Sequence, residues 1–272
     1  MRSLLLCLFS SIFFVSAHAQ VFMSPFDPAA TMAMGGAGVA YPGLEAGVRN
    51  DAAAGMVDRR PGIFLSSTVP YGITEWQSAR IQAVLGLDKN SGAGLEMAHS
   101  GLTEYREQLY RLFYGRRLGE RLYLGGSADL LRVSAQEYGA ATGMSFGIGM
   151  LANVLPGLWI GAHIQNPVQQ KIGDETTSSL LRIGAAWKTS TILTLIAETE
   201  KALEKPVQIK TGLEYRPVEI LVVRAGVRAG RTARMGFGAG LRFKNGLAFD
   251  TAAEWHPSLG LTPSASIIWR KP

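Results

Sequence analysis

The amino-acid sequence predicts an all-β fold: an antiparallel transmembrane β-barrel of about 14 strands with a Gly/Ala-rich N-terminal plug segment in its lumen. Three observations carry that expectation. Most of the chain alternates apolar and polar residues with a period of two, the alternating units are about ten residues long, and an export signal precedes them. Composition agrees. The 272 residues include 32 Gly and 12 Pro, are 47% hydrophobic and 18% charged, and have a mean hydropathy of +0.12. A disordered chain or a coiled coil needs far more charge, and a helical membrane protein far more apolar content.

The first element is residues 1–19, with Arg2, the apolar run Leu4 to Val15 and the ending Ala17-His18-Ala19. A positive start, an apolar stretch well under the ~20 residues of a membrane-spanning helix and an A-x-A end describe a cleaved secretory signal. Cys7 is the only cysteine and lies within it, so the exported chain has no thiol, disulfide or thiolate metal site. The formal net charge of +6 is scattered rather than clustered. It points away from nucleic acid and toward charge lining the inside or surface of an envelope protein.

The barrel is expected over residues 61–272. In Arg234 to Lys244, Met235, Phe237, Ala239, Leu241 and Phe243 point one way, while Arg234, Gly236, Gly238, Gly240, Arg242 and Lys244 point the other. Val207, Ile209, Leu213 and Tyr215 oppose Gln208, Lys210, Glu214 and Arg216 in the same manner, and Leu221, Val223, Ala225 and Val227 oppose Arg224, Gly226 and Arg228. Such segments have one oily and one polar face. Fourteen of them fit between residues 61 and 270. At about ten residues each they match the ~9–11 that a tilted strand needs to cross a hydrocarbon layer, whereas soluble strands average ~5–6. Lys89-Asn90-Ser91-Gly92, Gly119-Glu120 and Lys244-Asn245-Gly246 are natural hairpin turns. A bilayer cannot satisfy an open sheet edge, so the sheet must close. The nearly uncharged run Phe146 to Ile164 reads as two strands rather than a helix, because Gly147, Gly149, Asn153, Pro156, Gly157 and Gly161 interrupt it.

Residues 20–60 have a different texture. Met34-Gly35-Gly36-Ala37-Gly38 and Asn50-Asp51-Ala52-Ala53-Ala54-Gly55 are small and lack alternation, which suits backbone packed closely against a wall inside the barrel. A nucleotide-binding loop is excluded by the missing strand and Gly-Lys-Ser/Thr ending. For chemistry the sequence offers little. His99, His163 and His256 have no metal-ligand spacing, and His163 beside Ser145 or Ser179 is better read as a polar lumenal residue, so no catalytic residue, metal or cofactor is assigned. The inward charges form the more informative set. Asp129, Arg182, Lys210, Glu214, Arg224, Arg228, Arg234, Arg242, Asp250 and Glu254, together with Glu96, Arg111, Lys188 and Glu198, are expected to neutralise one another across adjacent strands and narrow the passage.

These motifs, taken in order, resemble the FadL-like outer-membrane barrels and within them the PorV/PorQ-like branch. The resemblance rests on Met34-Gly35-Gly36-Ala37-Gly38-Val39-Ala40, Gly212-Leu213-Glu214-Tyr215-Arg216-Pro217, Val223-Arg224-Ala225-Gly226, Gly236-Phe237-Gly238-Ala239-Gly240, and Asp250 followed by His256-Pro257-Ser258-Leu259-Gly260. It implies a bacterial outer-membrane location, a fourteen-stranded barrel and an N-terminal lumenal segment. Where the family carries Asn-Pro-Ala-Gly, this chain has Asn50-Asp51-Ala52-Ala53-Ala54-Gly55, without the proline. Two functions follow from the resemblance: a partner- or cargo-binding component linked to type IX secretion, or a passive channel for hydrophobic small molecules. A purely structural barrel is a third. The implied partners are the lipid bilayer, other outer-membrane or secretion proteins, or hydrophobic compounds.

Overall fold

The computed structural model describes residues 26–42, 48–57, 60–173, 175–203 and 205–272. The expected signal segment, 1–19, lies outside them. Sixteen strands follow in order: β1 (Gly62–Thr68), β2 (Gln77–Gly86), β3 (Ser91–Gly101), β4 (Tyr105–Leu118), β5 (Leu122–Ala135), β6 (Gly139–Leu155), β7 (Leu158–Gln165), β8 (Lys171–Ile172), β9 (Glu175–Thr176), β10 (Leu180–Lys188), β11 (Leu193–Ala202), β12 (Gln208–Val218), β13 (Leu221–Ala229), β14 (Arg234–Arg242), β15 (Leu247–His256) and β16 (Gly260–Arg270). All but β8 and β9 join one closed antiparallel barrel of 14 strands, in agreement with the expected count. Closure is made by β1, which pairs with β2 on one side and β16 on the other, from Gly62↔Arg270 to Thr68↔Ser264. Among the described residues, no barrel strand is left with an open edge to pair with a neighbour or to face lipid unsatisfied.

The pleat sorts side chains as the alternation requires. In β14, Met235, Phe237 and Leu241 are exposed on the outer wall, while Gly236 and Gly240 are buried inside. The run from Phe146 to Ile164 is β6 and β7, turned at Pro156-Gly157, where Gly157 has a φ of +80° that a hairpin accepts readily only from Gly. Residues 60 and 272 lie at one end of the barrel, here the terminal end, together with the short connections 87–90, 119–121, 156–157, 189–192, 219–220 and 243–246. The far end carries the connections 69–76 and 166–179. The latter holds the small hairpin β8–β9, which two-residue strands without alternation leave invisible to a periodicity argument. Among the described residues no helix is long and apolar enough to cross a membrane.

Candidate functional site

The barrel interior is occupied by the N-terminal segment. A short helix, α1 (Ala29–Ala33), leads into Met34–Ala40; further on, residues 48–57 include a 3-10 helix, Asp51–Met56. Nearly all of these residues are buried. Their bed is a set of inward glycines placed opposite one another across neighbouring strands. Gly92, Gly115, Gly125 and Gly149 run in register over β3 to β6, Gly161 pairs with Gly184 over β7 and β10, and Gly212, Gly226 and Gly236 run over β12 to β14. The wall there has no side chains, so backbone meets backbone. A Cβ on Gly115 would lie 2.6 Å from Gly55 N and 2.7 Å from Asp51 O, and one on Gly212 would lie 2.7 Å from Met34 Cα. Met34 and Gly35 rest on the β12–β14 belt, Val39 on the Gly161–Gly184 pair, and Asp51 to Gly55 on the β3–β6 belt.

Charge holds the segment where the glycines admit it. Arg49 bonds Asp27 at 2.5 Å and Glu198 of β11 at 2.8 Å, and donates to the carbonyl of Gly36. The other Glu198 oxygen accepts the backbone amides of Gly38 and Val39, both at 2.8 Å. Asp27 in turn pairs with Arg228 of β13, which also reaches Glu254 at 3.4 Å. Burial by itself raises the Asp27 carboxyl, but Arg49 and Arg228 outweigh it and hold the group below the usual carboxylate range; burial lowers Arg49, and Asp27 and Glu198 outweigh that in the opposite sense.

Around this anchor the wall charges pair in sequence. Lys210 meets Glu198 at 3.2 Å and Glu200 at 2.7 Å, and Arg182 meets Glu200 at 2.8 Å. Arg224 bridges Glu214 at 2.8 Å and Asp250 at 2.6 Å, with Arg242 on Asp250 at 2.9 Å and Arg234 on Glu254 at 3.2 Å. Asp129 stands apart from that chain, in a second group with Arg111 at 2.9 Å; Arg111 continues to Glu96, and Glu96 to Arg80. Lys188 is exposed at the terminal end, where it lines a cavity of about 180 Å³ with Tyr41, Trp159 and Arg216.

Asn50 and Asp51 fasten the second half of the segment. Asn50 caps the 3-10 helix by accepting from Ala52 N at 3.2 Å, and its amide donates to Val39 O and Met150 O, both at 2.9 Å. Asp51 has its Oδ2 3.0 Å from His163 Nε2, with both side chains buried. Burial pushes the Asp51 carboxyl up, and the hydrogen bond and charge of His163 and the nearby Arg111 carry it below its ordinary value. Among the described residues no cluster of three or more His, Cys, Asp or Glu is arranged to hold a metal ion.

The far mouth is apolar. Ala98, Leu109 and Leu131, inward on β3, β4 and β5, form a buried cluster with Val133 and Ala141, and Ile172 of the β8–β9 hairpin is inserted into it. Its position depends on Gly143 of β6, where a Cβ would lie 2.7 Å from the Ile172 side chain. Across the mouth, Phe26, Tyr71, Trp76 and His256 stack edge to face at 5.8–6.5 Å. Sequence reasoning missed Ile172, Asp27, Arg49 and Glu200. Only Glu200 carried a signal, lying two residues beyond Glu198 and therefore on the same face; the others sit in segments without periodicity.

A closed, fourteen-stranded, membrane-type barrel with a charge-anchored N-terminal segment inside it defines the class. No protein-family model matches the chain, and no curated protein matches its sequence. Solved structures do. The toluene transporter TbuX of Ralstonia pickettii superimposes with a TM-score of 0.67 at 14% identity, covering 91% of this chain and 98% of that one. The Pseudomonas putida toluene transporter TodX gives 0.66 at 13%, over 93% and 98%. A Pseudomonas aeruginosa FadL homologue gives 0.65 at 11%, over 92% and 98%. The fold is thus that of the FadL-type barrels.

Proposed function

We propose that this protein is an outer-membrane channel for hydrophobic small molecules, with the N-terminal segment serving as a lumenal plug. The apolar site at the far mouth carries the reading. A lumen lined only for water or ions has no use for Leu109, Leu131, Val133 and Ala141 on its inner wall, and the side chain that fills the site, Ile172, belongs to a short hairpin rather than to the barrel. An apolar guest that displaces Ile172 gains the same burial. Solved barrels of this fold include transporters of toluene, in line with an apolar site at the mouth. The plug and its ion pairs oppose free passage of ions while such a guest enters. Proteoliposomes provide the test: uptake of toluene above that of empty vesicles is expected, together with a several-fold loss on Leu131→Asp. Uptake equal to that of empty vesicles would reject the channel.

The type IX secretion reading rests on the PorV/PorQ-like motifs of the sequence. The short connections at the terminal end leave little surface there for a protein cargo, and the apolar site at the far mouth favours the channel. Affinity isolation from native membranes separates the two, because recovered secretion components would favour the partner-binding role.

A further inference from the structure

The outer wall of the barrel has its own charge pattern. Arg106, Arg116, Arg132 and Lys201 are the charged residues at outward positions of the fourteen strands, among the described residues, and all four are basic. The lumen, by contrast, balances both signs in pairs. Two of the four fall together. Arg132 of β5 lies directly opposite Gln108 of β4, and Gln108 opposite His99 of β3, so that His99, Gln108 and Arg132 form one row across three strands. Arg106 is two residues from Gln108 on the same face, a diagonal neighbour of Arg132 at the ~7–8 Å that long side chains bridge. Arg106 and Arg132 are exposed, and neither has an ion-pair or hydrogen-bond partner among the described residues.

The depth of the row decides its meaning. Each member lies two or three residues from the far end of its strand, within about 10 Å of the rim at ~3.3 Å per residue. The next outward row toward the middle of the wall is Met97, Tyr110, Leu130 and Met144, all exposed and all suited to acyl chains. Between the two rows is a notch of about 230 Å³ lined by Ala79, Ile81, Met97, His99, Gln108 and Tyr110. Elsewhere around the far rim, the outward positions of β12 to β16 carry Ile209, Val227, Met235, Trp255 and Leu261 and no cation.

We propose that this sector of the wall, at the far ends of β3 to β5, binds an anionic phospholipid. Arg106 and Arg132 take the phosphate, Gln108 and His99 hydrogen-bond the polar headgroup, and an acyl chain descends over Met97, Tyr110 and Leu130 into the notch. Two uncompensated guanidiniums at a membrane surface call for an anion at the same depth, and a lipid phosphate supplies one whose tail matches the apolar row beneath.

The test uses the full chain in non-ionic detergent, with mixed micelles of equal phosphatidylglycerol and phosphatidylcholine, and counts retained lipid by native mass spectrometry. A preference for phosphatidylglycerol of roughly ten-fold is expected from two surface cations. It should fall to near unity in Arg106→Gln with Arg132→Gln, and persist in Arg106→Lys with Arg132→Lys and in Lys201→Gln with Arg116→Gln. Circular dichroism and oligomeric state are followed in each variant. The proposal is overturned if the native chain shows no preference, if the double Gln variant keeps it while folded, or if Lys201→Gln with Arg116→Gln loses it equally. Displacement by inorganic phosphate with no lipid retained would mean a free-anion site, and a dimer abolished by the double variant would mean a second copy, and either result rejects the lipid.

Discussion

A methyl group at position 115 has nowhere to go. The atoms it would meet belong to the backbone of the lumenal segment, so neither a rotamer change nor a small shift of one side chain relieves the clash. Overpacking of this kind costs about 1–3 kcal/mol, and a larger side chain more. Gly115→Val is therefore expected to lower the melting temperature and to open residues 48–57 to protease, whereas Gly126→Ala, on the outer wall, should leave both near native; equal behaviour of the two would refute the glycine-bed account. Arg49 is the matching polar residue. Replacing it with Met leaves Asp27 and Glu198 buried beside one fewer cation, a loss of about 3–5 kcal/mol for a broken buried pair. The sign of the pH response follows from Asp27 and Asp51. Both carboxyls sit below their ordinary values in the folded chain, so their stabilisation is present above the unfolded value of ~3.9 and drains away as the pH falls through the lower folded values. Protease protection of residues 26–42 and 48–57 should accordingly weaken below about pH 4, and Asp27→Asn should show reduced protection already at neutral pH.

Two elements divide the work inside the barrel, one anchored by charge and one by a single apolar side chain. Residues 26–42 and 48–57 are tied down by Arg49, Glu198, Asn50 and Asp51 on several strands, and they should not move as a unit on ligand binding. Deleting residues 26–57 from a refolded barrel is expected to produce ion conductance in planar bilayers that the intact chain lacks; an unchanged trace would mean that the wall charges alone close the passage. The β8–β9 hairpin is held differently. Lys171 and Ile172 pair with Thr176 and Glu175 and with no barrel strand, and Ile172 supplies the buried apolar contact. Ile172→Gly should raise hydrogen exchange across 168–177 while leaving the barrel strands protected, because local opening there costs far less than opening the sheet. Neither element was legible beforehand to the same degree. The segment announced itself by Gly and Ala without alternation, but which of its charges face the wall depends on a path that no period describes. The hairpin had no signal at all.

At the scale of the whole molecule, closure dominates. β1 and β16 are the first and last strands of the barrel, so the seam at Gly62↔Arg270 joins the two ends of the sheet and fixes its register around the whole ring. Removing β16 exposes the edges of β1 and β15, and no detergent-stable barrel is expected from a chain ending at residue 259; a folded product would show that the sheet tolerates an open edge. The fourteen strands, their inward and outward faces and the antiparallel order were legible from alternation, because side-chain direction along a strand is a local property with a period of two. So was the inward placement of Lys210, Glu214, Arg224 and Asp250. Their partners were not. Arg224 meets Glu214 and Asp250 since β13 lies next to β12 and one strand removed from β15, and Lys210 shares Glu198 with Arg49 because a distant segment threads the lumen at that height. By itself, the sequence determined which face each residue takes and that the sheet must close, since pleat and solvent act within a few residues. Only the tertiary structure decided what the closed wall contains, because the glycine belts, the ion-pair order and the Ile172 site bring together residues tens to hundreds of positions apart, beyond the reach of any local period.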